Sequence, residues 1–172
     1  MESEIIKKAA GGDPEALTLL IDRYKDIAYN LALSIVKNPE DARDITQDSF
    51  LKVLEKICSF RNDSKFSTWL YRIVYNQSIG FLKKAHHTSP IDSDLHDNKT
   101  ESENDSDELN RELYRAINSL AETDKNIIML FYLAEKSVKE IALITGLSRG
   151  NIKVILHRAR KKLYNTMDHA SK

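Results

Sequence analysis

Between Ser148 and Leu163 the chain carries six lysines and arginines and no acid. Guanidinium, ammonium and amide groups at this density can hydrogen-bond base edges and phosphate oxygens. At 100° per residue, Ile152, Ile155, Leu156, Ala159 and Leu163 share one helical face. Arg149, Lys153, His157, Arg158, Arg160 and Lys161 cover much of the rest. Ahead of this stretch, Ser137-Val-Lys-Glu140 has capping-box spacing. Thr145-Gly146-Leu147 supplies a turn with glycine where a left-handed backbone is needed, and Ser148 can cap the next helix. Helix, glycine turn and capped helix are the parts of a helix-turn-helix. A solvated basic face on an ordinary helix is the plainer alternative, and the capped turn at this distance favours DNA. Arg149, Asn151 and Lys153 come first on the helix and are placed for base edges. Arg158, Arg160 and Lys161 are placed for phosphates.

Two further constellations lie in the first half of the chain. On the stretch from Pro39, Ala42, Phe50, Val53, Leu54 and Ile57 gather on one side, while Asp41, Asp44, Asp48 and Glu55 gather on the other. An acidic face turned to water and a docking stripe for a basic partner are both compatible with this spacing. Next comes Phe60-Arg61-Asn62-Asp63-Ser64-Lys65-Phe66, a polar loop between two aromatics. After it, Trp69, Leu70, Ile73, Val74 and Phe81 form an apolar face, Tyr71, Tyr75 and Leu82 a flank, and Arg72, Asn76 and Lys83 a polar stripe. Aromatics, amides and cations beside a loop can stack on and hydrogen-bond unpaired bases. The same Trp69 and tyrosines can equally be core.

Other chemistry is poorly served. His86, His87, Asp92, Asp94, His96 and Asp97 fall in a polar stretch with no scaffold to fix a coordination sphere, so no metal or cofactor is expected. The single cysteine, Cys58, is expected to be a half-buried small side chain. No glycine-rich phosphate loop, nucleophile elbow or paired-acid site is present, so neither an enzyme nor a small-molecule substrate is expected.

The elements that must position these groups are helical. Among 172 residues there are 5 glycines and 3 prolines, and no run alternates over a strand length. Asp13-Pro14-Glu15 and Asn38-Pro39-Glu40 are helix starts, a cap followed by proline at the first helical position. Helices are expected near 2–10, 14–36, 39–57, 68–84, 108–119, 124–134, 138–144 and 149–166. The net charge of zero is a sum of unlike parts. Residues 1–84 carry 13 basic and 12 acidic side chains, residues 85–112 carry 2 and 9, and residues 113–172 carry 11 and 5. The middle stretch is nearly free of large apolar residues and cannot bury enough surface to offset its own ordering. The expected fold is all-α, two small helical domains at 1–84 and 109–172 joined by a flexible acidic linker at 85–108. The longest apolar run, Ile127–Leu133, is far short of the roughly 20 residues of a membrane span, and the N-terminus has no signal-peptide pattern.

These residues resemble a known family. Asp44-Ile-Thr-Gln47-Asp48-Ser-Phe50, Phe60-Arg61-Asn62-Asp63 and Phe66-Ser-Thr-Trp69-Leu-Tyr-Arg72-Ile are similar to region 2 of the extracytoplasmic-function sigma factors. Leu120, Ser137-Val-Lys-Glu-Ile-Ala142, Gly146-Leu-Ser148 and Leu156-His-Arg-Ala-Arg-Lys-Lys-Leu163 are similar to region 4. The resemblance implies a dissociable promoter-specificity subunit of bacterial RNA polymerase. Asp41, Asp44, Gln47 and Asp48 would dock on the clamp coiled coil of the largest core subunit, with the flap as a second contact. Phe60, Arg61, Asn62, Asp63, Ser64, Lys65, Arg72, Asn76 and Lys83 would capture the melted minus-ten strand. Ser148, Arg149, Asn151, Lys153, His157, Arg158 and Lys161 would read the minus-thirty-five duplex. The family further implies a cytoplasmic protein and an anti-sigma factor that can hold it at a membrane. A stand-alone helix-turn-helix regulator is the alternative. The chain departs from the family's pattern in several places. Ala121 replaces the usual proline, Glu135-Lys136 stands where glycine is usual, and Phe131 replaces a common arginine. Asn151, Val154 and Ile155 replace the commoner Thr, Ser and Arg.

Overall fold

The computed structural model describes residues 2–88, 116–117, 119–132 and 134–170. The expected linker and most of the expected helix at 108–119 lie outside the described residues, as does the His/Asp stretch beyond residue 88. Every regular element among the described residues is helical. They are α1 (Glu2–Ala10), α2 (Pro14–Val36), α3 (Pro39–Lys56), α4 (Phe66–Thr88), α5 (Glu122–Tyr132), α6 (Val138–Thr145) and α7 (Arg149–Ala170), with a 3-10 turn at Ile57–Ser59. They divide into two compact units, one built on α1–α4 and the other on α5 and α7.

In the first unit, α2 packs on α1, α3 and α4, and α3 packs on α4. Local chemistry sets the corners. The Asp13 carboxylate accepts from the amides of Glu15 and Ala16 at 2.9 and 3.2 Å, and proline follows the cap. Asn38 repeats this on α3, accepting from Glu40 and Asp41 at 2.8 and 3.2 Å. Between them Lys37 turns left-handed (φ 62°) and its amide bonds the Leu33 carbonyl, which closes α2. Ile6 and Ala9 of α1 are buried, and the Tyr24 hydroxyl donates to the Glu2 carboxylate. Burial, then the bond to Glu2, pushes the Tyr24 phenol up to about 12.

Four expectations about this unit are corrected. Leu54 is exposed, and Ile45 and Ser49 take its place beside Ala42, Phe50 and Val53. Ser49 can be buried because its hydroxyl donates to the Ile45 carbonyl one turn back, at 2.6 Å. On α4, Phe81 is exposed and Trp69 and Ile73 are half-buried, while the buried line runs through Phe66, Leu70, Val74 and Ser78 and takes in Tyr71 and Tyr75. The helix also begins at Phe66 rather than Thr68, because the Lys65 carbonyl accepts from both Thr68 and Trp69 and nucleates the first turn there. Cys58, expected half-buried, is exposed, with its thiol against the Ala10 carbonyl at 3.1 Å.

In the second unit, α5 packs on α7. Ile127, Ile128 and Leu130 of α5 and Ile152, Ile155, Leu156 and Ala159 of α7 are buried, as is Ile141 of α6. Leu163 is half-buried, so the apolar face of α7 lies where its periodicity places it. After α5, Glu135 is left-handed (φ 50°), and the Lys136 amide bonds the Leu130 carbonyl. A left-handed conformation at this point is one that glycine would adopt without a Cβ penalty.

Candidate nucleic-acid and partner interfaces

The helix-turn-helix is assembled from its caps. The Ser137 hydroxyl and amide both engage the Glu140 carboxylate, at 2.7 and 2.9 Å, and the Glu140 amide returns to the Ser137 hydroxyl at 3.3 Å. Gly146 is left-handed (φ 77°), and the Asn151 amide donates to the Ser148 hydroxyl at 3.2 Å. From there Ser148, Arg149, Gly150, Asn151, Lys153, Val154, His157, Arg158 and Lys161 are all exposed. Val154 (61% exposed) lies one turn from Gly150 and Asn151, in the middle of the solvent face. At 100° per residue it falls opposite Ile152 and Leu156, an apolar group on the solvent face that the charge pattern did not single out.

The cations of α7 are not equivalent. Arg158 is held by Asp124 of α5, Nε to Oδ2 at 3.1 Å and Nη2 to Oδ1 and Oδ2 at 2.6 and 2.8 Å. The hydrogen bond and then the charge of Asp124 push the Arg158 guanidinium above its usual value. Arg160 donates from Nε to the Tyr132 hydroxyl at 2.7 Å, and its guanidinium lies over the rings of Phe131 and Tyr132 at 5.5 and 5.7 Å. Lys162 reaches the Ser119 carbonyl. Arg149, Lys153 and Lys161 have no partner among the described residues. Phe131 thus forms one wall of the Arg160 site.

In the first unit, Asp44, Gln47 and Asp48 are exposed and Asp41 is half-buried. Leu51 (51% exposed) stands on the same stripe and Leu54 beside it, an apolar centre that the charge pattern alone did not reveal. A surface that is acidic at its edge and apolar within suits a protein partner better than water.

The loop residues Arg61, Asn62, Asp63 and Lys65 are exposed and Ser64 is half-buried. Asn62 is left-handed (φ 58°), a conformation asparagine tolerates. Phe60, Phe66 and Trp69 stack mutually at 5.1–5.8 Å, and Tyr24 meets Phe66 at 5.2 Å. The two readings of these aromatics therefore merge: Phe66 is core, while Phe60 and Trp69 are half-buried and reach the surface at the loop. Arg72, Asn76 and Lys83 are exposed on α4.

The profile of Sigma-70 region 2 matches residues 20–88, and that of Sigma-70 region 4 matches residues 110–163. The ECF RNA polymerase sigma factor SigW of Bacillus subtilis is 31% identical over 172 residues, covering 92% of each chain. The RNA polymerase sigma factor SigV of the same organism is 34% identical, covering 84% of this chain and 86% of that one. The chain belongs to the extracytoplasmic-function sigma factors. It is an alternative transcription initiation factor that works with RNA polymerase at promoter DNA. The sigma factor RpoE of Bartonella quintana, solved in complex with the anti-sigma factor NepR, has the same fold (TM-score 0.69, 23% identity, 88% of this chain and 96% of that one). No helix among the described residues of this sigma factor is long and apolar enough to cross a membrane.

Proposed function

We propose that three surfaces divide the work of this sigma factor. Asp41, Asp44, Gln47 and Asp48 dock on the clamp coiled coil of the largest core subunit, with Leu51 seated at the centre of that contact. The loop from Phe60 to Lys65, with Arg72, Asn76 and Lys83, captures the melted minus-ten strand. The exposed face of α7, from Ser148 to Lys161, reads the minus-thirty-five duplex and its phosphates, and the core flap holds that unit in place. The two domains are residues 1–84 and 109–172, with 85–108 as the tether. The observation that carries this reading is the exposure of most of these polar groups, on one loop and on helices whose opposite faces are buried. Polymerisation belongs to the core enzyme, and this chain supplies positioning and strand capture.

By analogy with RpoE, a cognate anti-sigma factor restrains the chain, which acts in the cytoplasm. The test is transcription in vitro with core polymerase on a genomic DNA library, mapping start sites. Start sites that require this chain and share elements near minus ten and minus thirty-five are expected. Tight binding to a palindrome without core, and no new start sites with it, would overturn the reading.

A further inference from the structure

Asp124 is one of three consecutive buried polar residues at the start of α5, with Lys125 and Asn126. Its side chain is 8% exposed, and its partner Arg158 is 62% exposed on the face of α7 that carries Asn151 and Lys161. Lys125 pairs locally with Glu122 at 3.1 Å, whereas Asp124 reaches across 34 residues to α7. The apolar residues that join α5 to α7 are buried without help from this pair. A pair with one partner so exposed adds little to stability, and replacing a desolvated ion pair by apolar groups is often neutral. Stability alone therefore gives a weak reason for a carboxylate here.

The geometry offers a better one. Asp124 takes the Nε and Nη2 edge of the guanidinium, which leaves Nη1 without a partner among the described residues. A guanidinium held by a fork cannot sample its other rotamers, so less order is lost when it meets a second oxygen anion. We propose that Asp124 is a positioning residue for promoter binding: it fixes Arg158 on the solvent face of α7 so that Nη1 meets a backbone phosphate of the minus-thirty-five duplex. This rests on the reading of α7 as the duplex-reading helix and adds a residue from α5 to it.

The sign of one substitution separates positioning from bulk electrostatics. Removing a negative charge beside a polyanion site should tighten binding if Asp124 acts only through its charge. If it positions Arg158, removal should weaken binding. The experiment is a double-mutant cycle in holoenzyme assembled from the full chain and core polymerase, reading affinity for a promoter fragment at several salt concentrations. Asp124→Asn and Arg158→Lys are each expected to weaken binding about tenfold, with the double variant no weaker than either single. Arg158→Gln is expected to lower the log–log salt slope by about 0.9. Unchanged or tighter binding by Asp124→Asn, strictly additive losses, or an unchanged slope would overturn the proposal. Should Asp124→Asn lower the folded fraction, Asp124→Glu is read in the same cycle with the same criteria. Lys161→Gln reports on the helix itself. No loss there would bring down the duplex-reading assignment, whereas loss there with none at Asp124 would bring down only the positioning role.

Discussion

The two units differ in how they hold their polar groups: Arg149, Lys153 and Lys161 of the second have no partner among the described residues, like those of the first, but three other cations there are tied. In the first, Arg61, Arg72, Asn76 and Lys83 are exposed with no partner among the described residues, and Phe60, Phe66 and Trp69 stack at the loop. In the second, Arg158, Arg160 and Lys162 are each tied to α5 or the turn before it. A melted strand brings flexible, separately oriented bases, and a rigid aromatic platform with loose polar arms suits it. A duplex presents phosphates and base edges at fixed spacing, and arms fixed in advance lose less entropy on meeting it. The comparison teaches that a basic residue in a binding motif can serve the helix's orientation as much as the contact itself.

Four experiments sharpen or break this contrast. The largest effect is expected from reversing Asp44 and Asp48 to Lys, which should weaken association with core polymerase by roughly 100-fold or more and leave the DNA face of α7 unaffected. Unchanged affinity in a core-binding titration would remove the docking assignment. Next, Asn76→Ala, or replacement of residues 61–64 by a glycine-serine loop, should slow promoter opening by about tenfold while duplex binding stays within about twofold. A fluorescent base in the minus-ten element reads the opening, and normal opening in both variants would erase the role given to the first unit.

Smaller effects concern stability. Burial raises the phenols of Tyr24, Tyr71 and Tyr75 above their usual value of 10, Tyr24 to about 12. Their contribution is therefore complete below pH 10. It is lost as pH climbs from 10 towards 12, because the unfolded chain releases these protons first. Melting temperature against pH should show this alkaline decline, and Tyr24→Phe should make it shallower. Glu135→Gly should raise stability by up to ~1 kcal/mol by relieving the left-handed backbone. A drop in the denaturant midpoint would show that Glu135 contributes more than its backbone strain removes.

Much of the molecule was legible from local rules. The caps at Asp13, Asn38, Ser137 and Ser148 bond as their spacing requires, because a cap involves only neighbours in sequence. The buried face of α7 follows from its 3.6-residue period for the same reason. Leu54 was misplaced because it lies near the edge of an apolar arc, where the neighbouring helix decides which side is covered; Phe81 shares the angular position of Leu70 and Val74 and is exposed one turn beyond the buried Ser78. Cys58 was misplaced because the 3-10 turn that follows α3 rotates it away from the helical phase.

The sequence by itself determined that the chain is helical, that its charge is segregated, and that one helix presents cations and amides to a duplex. Helical period, capping and charge order are properties of residues a few positions apart. Only the tertiary structure decided that Leu51 and Leu54 are left uncovered beside the acidic stripe, that Trp69 shares its stack with Phe60, and that Arg158 is bound to Asp124. Those facts depend on residues that meet only after chain closure, across 34 positions for Arg158, and no local pattern encodes such a meeting.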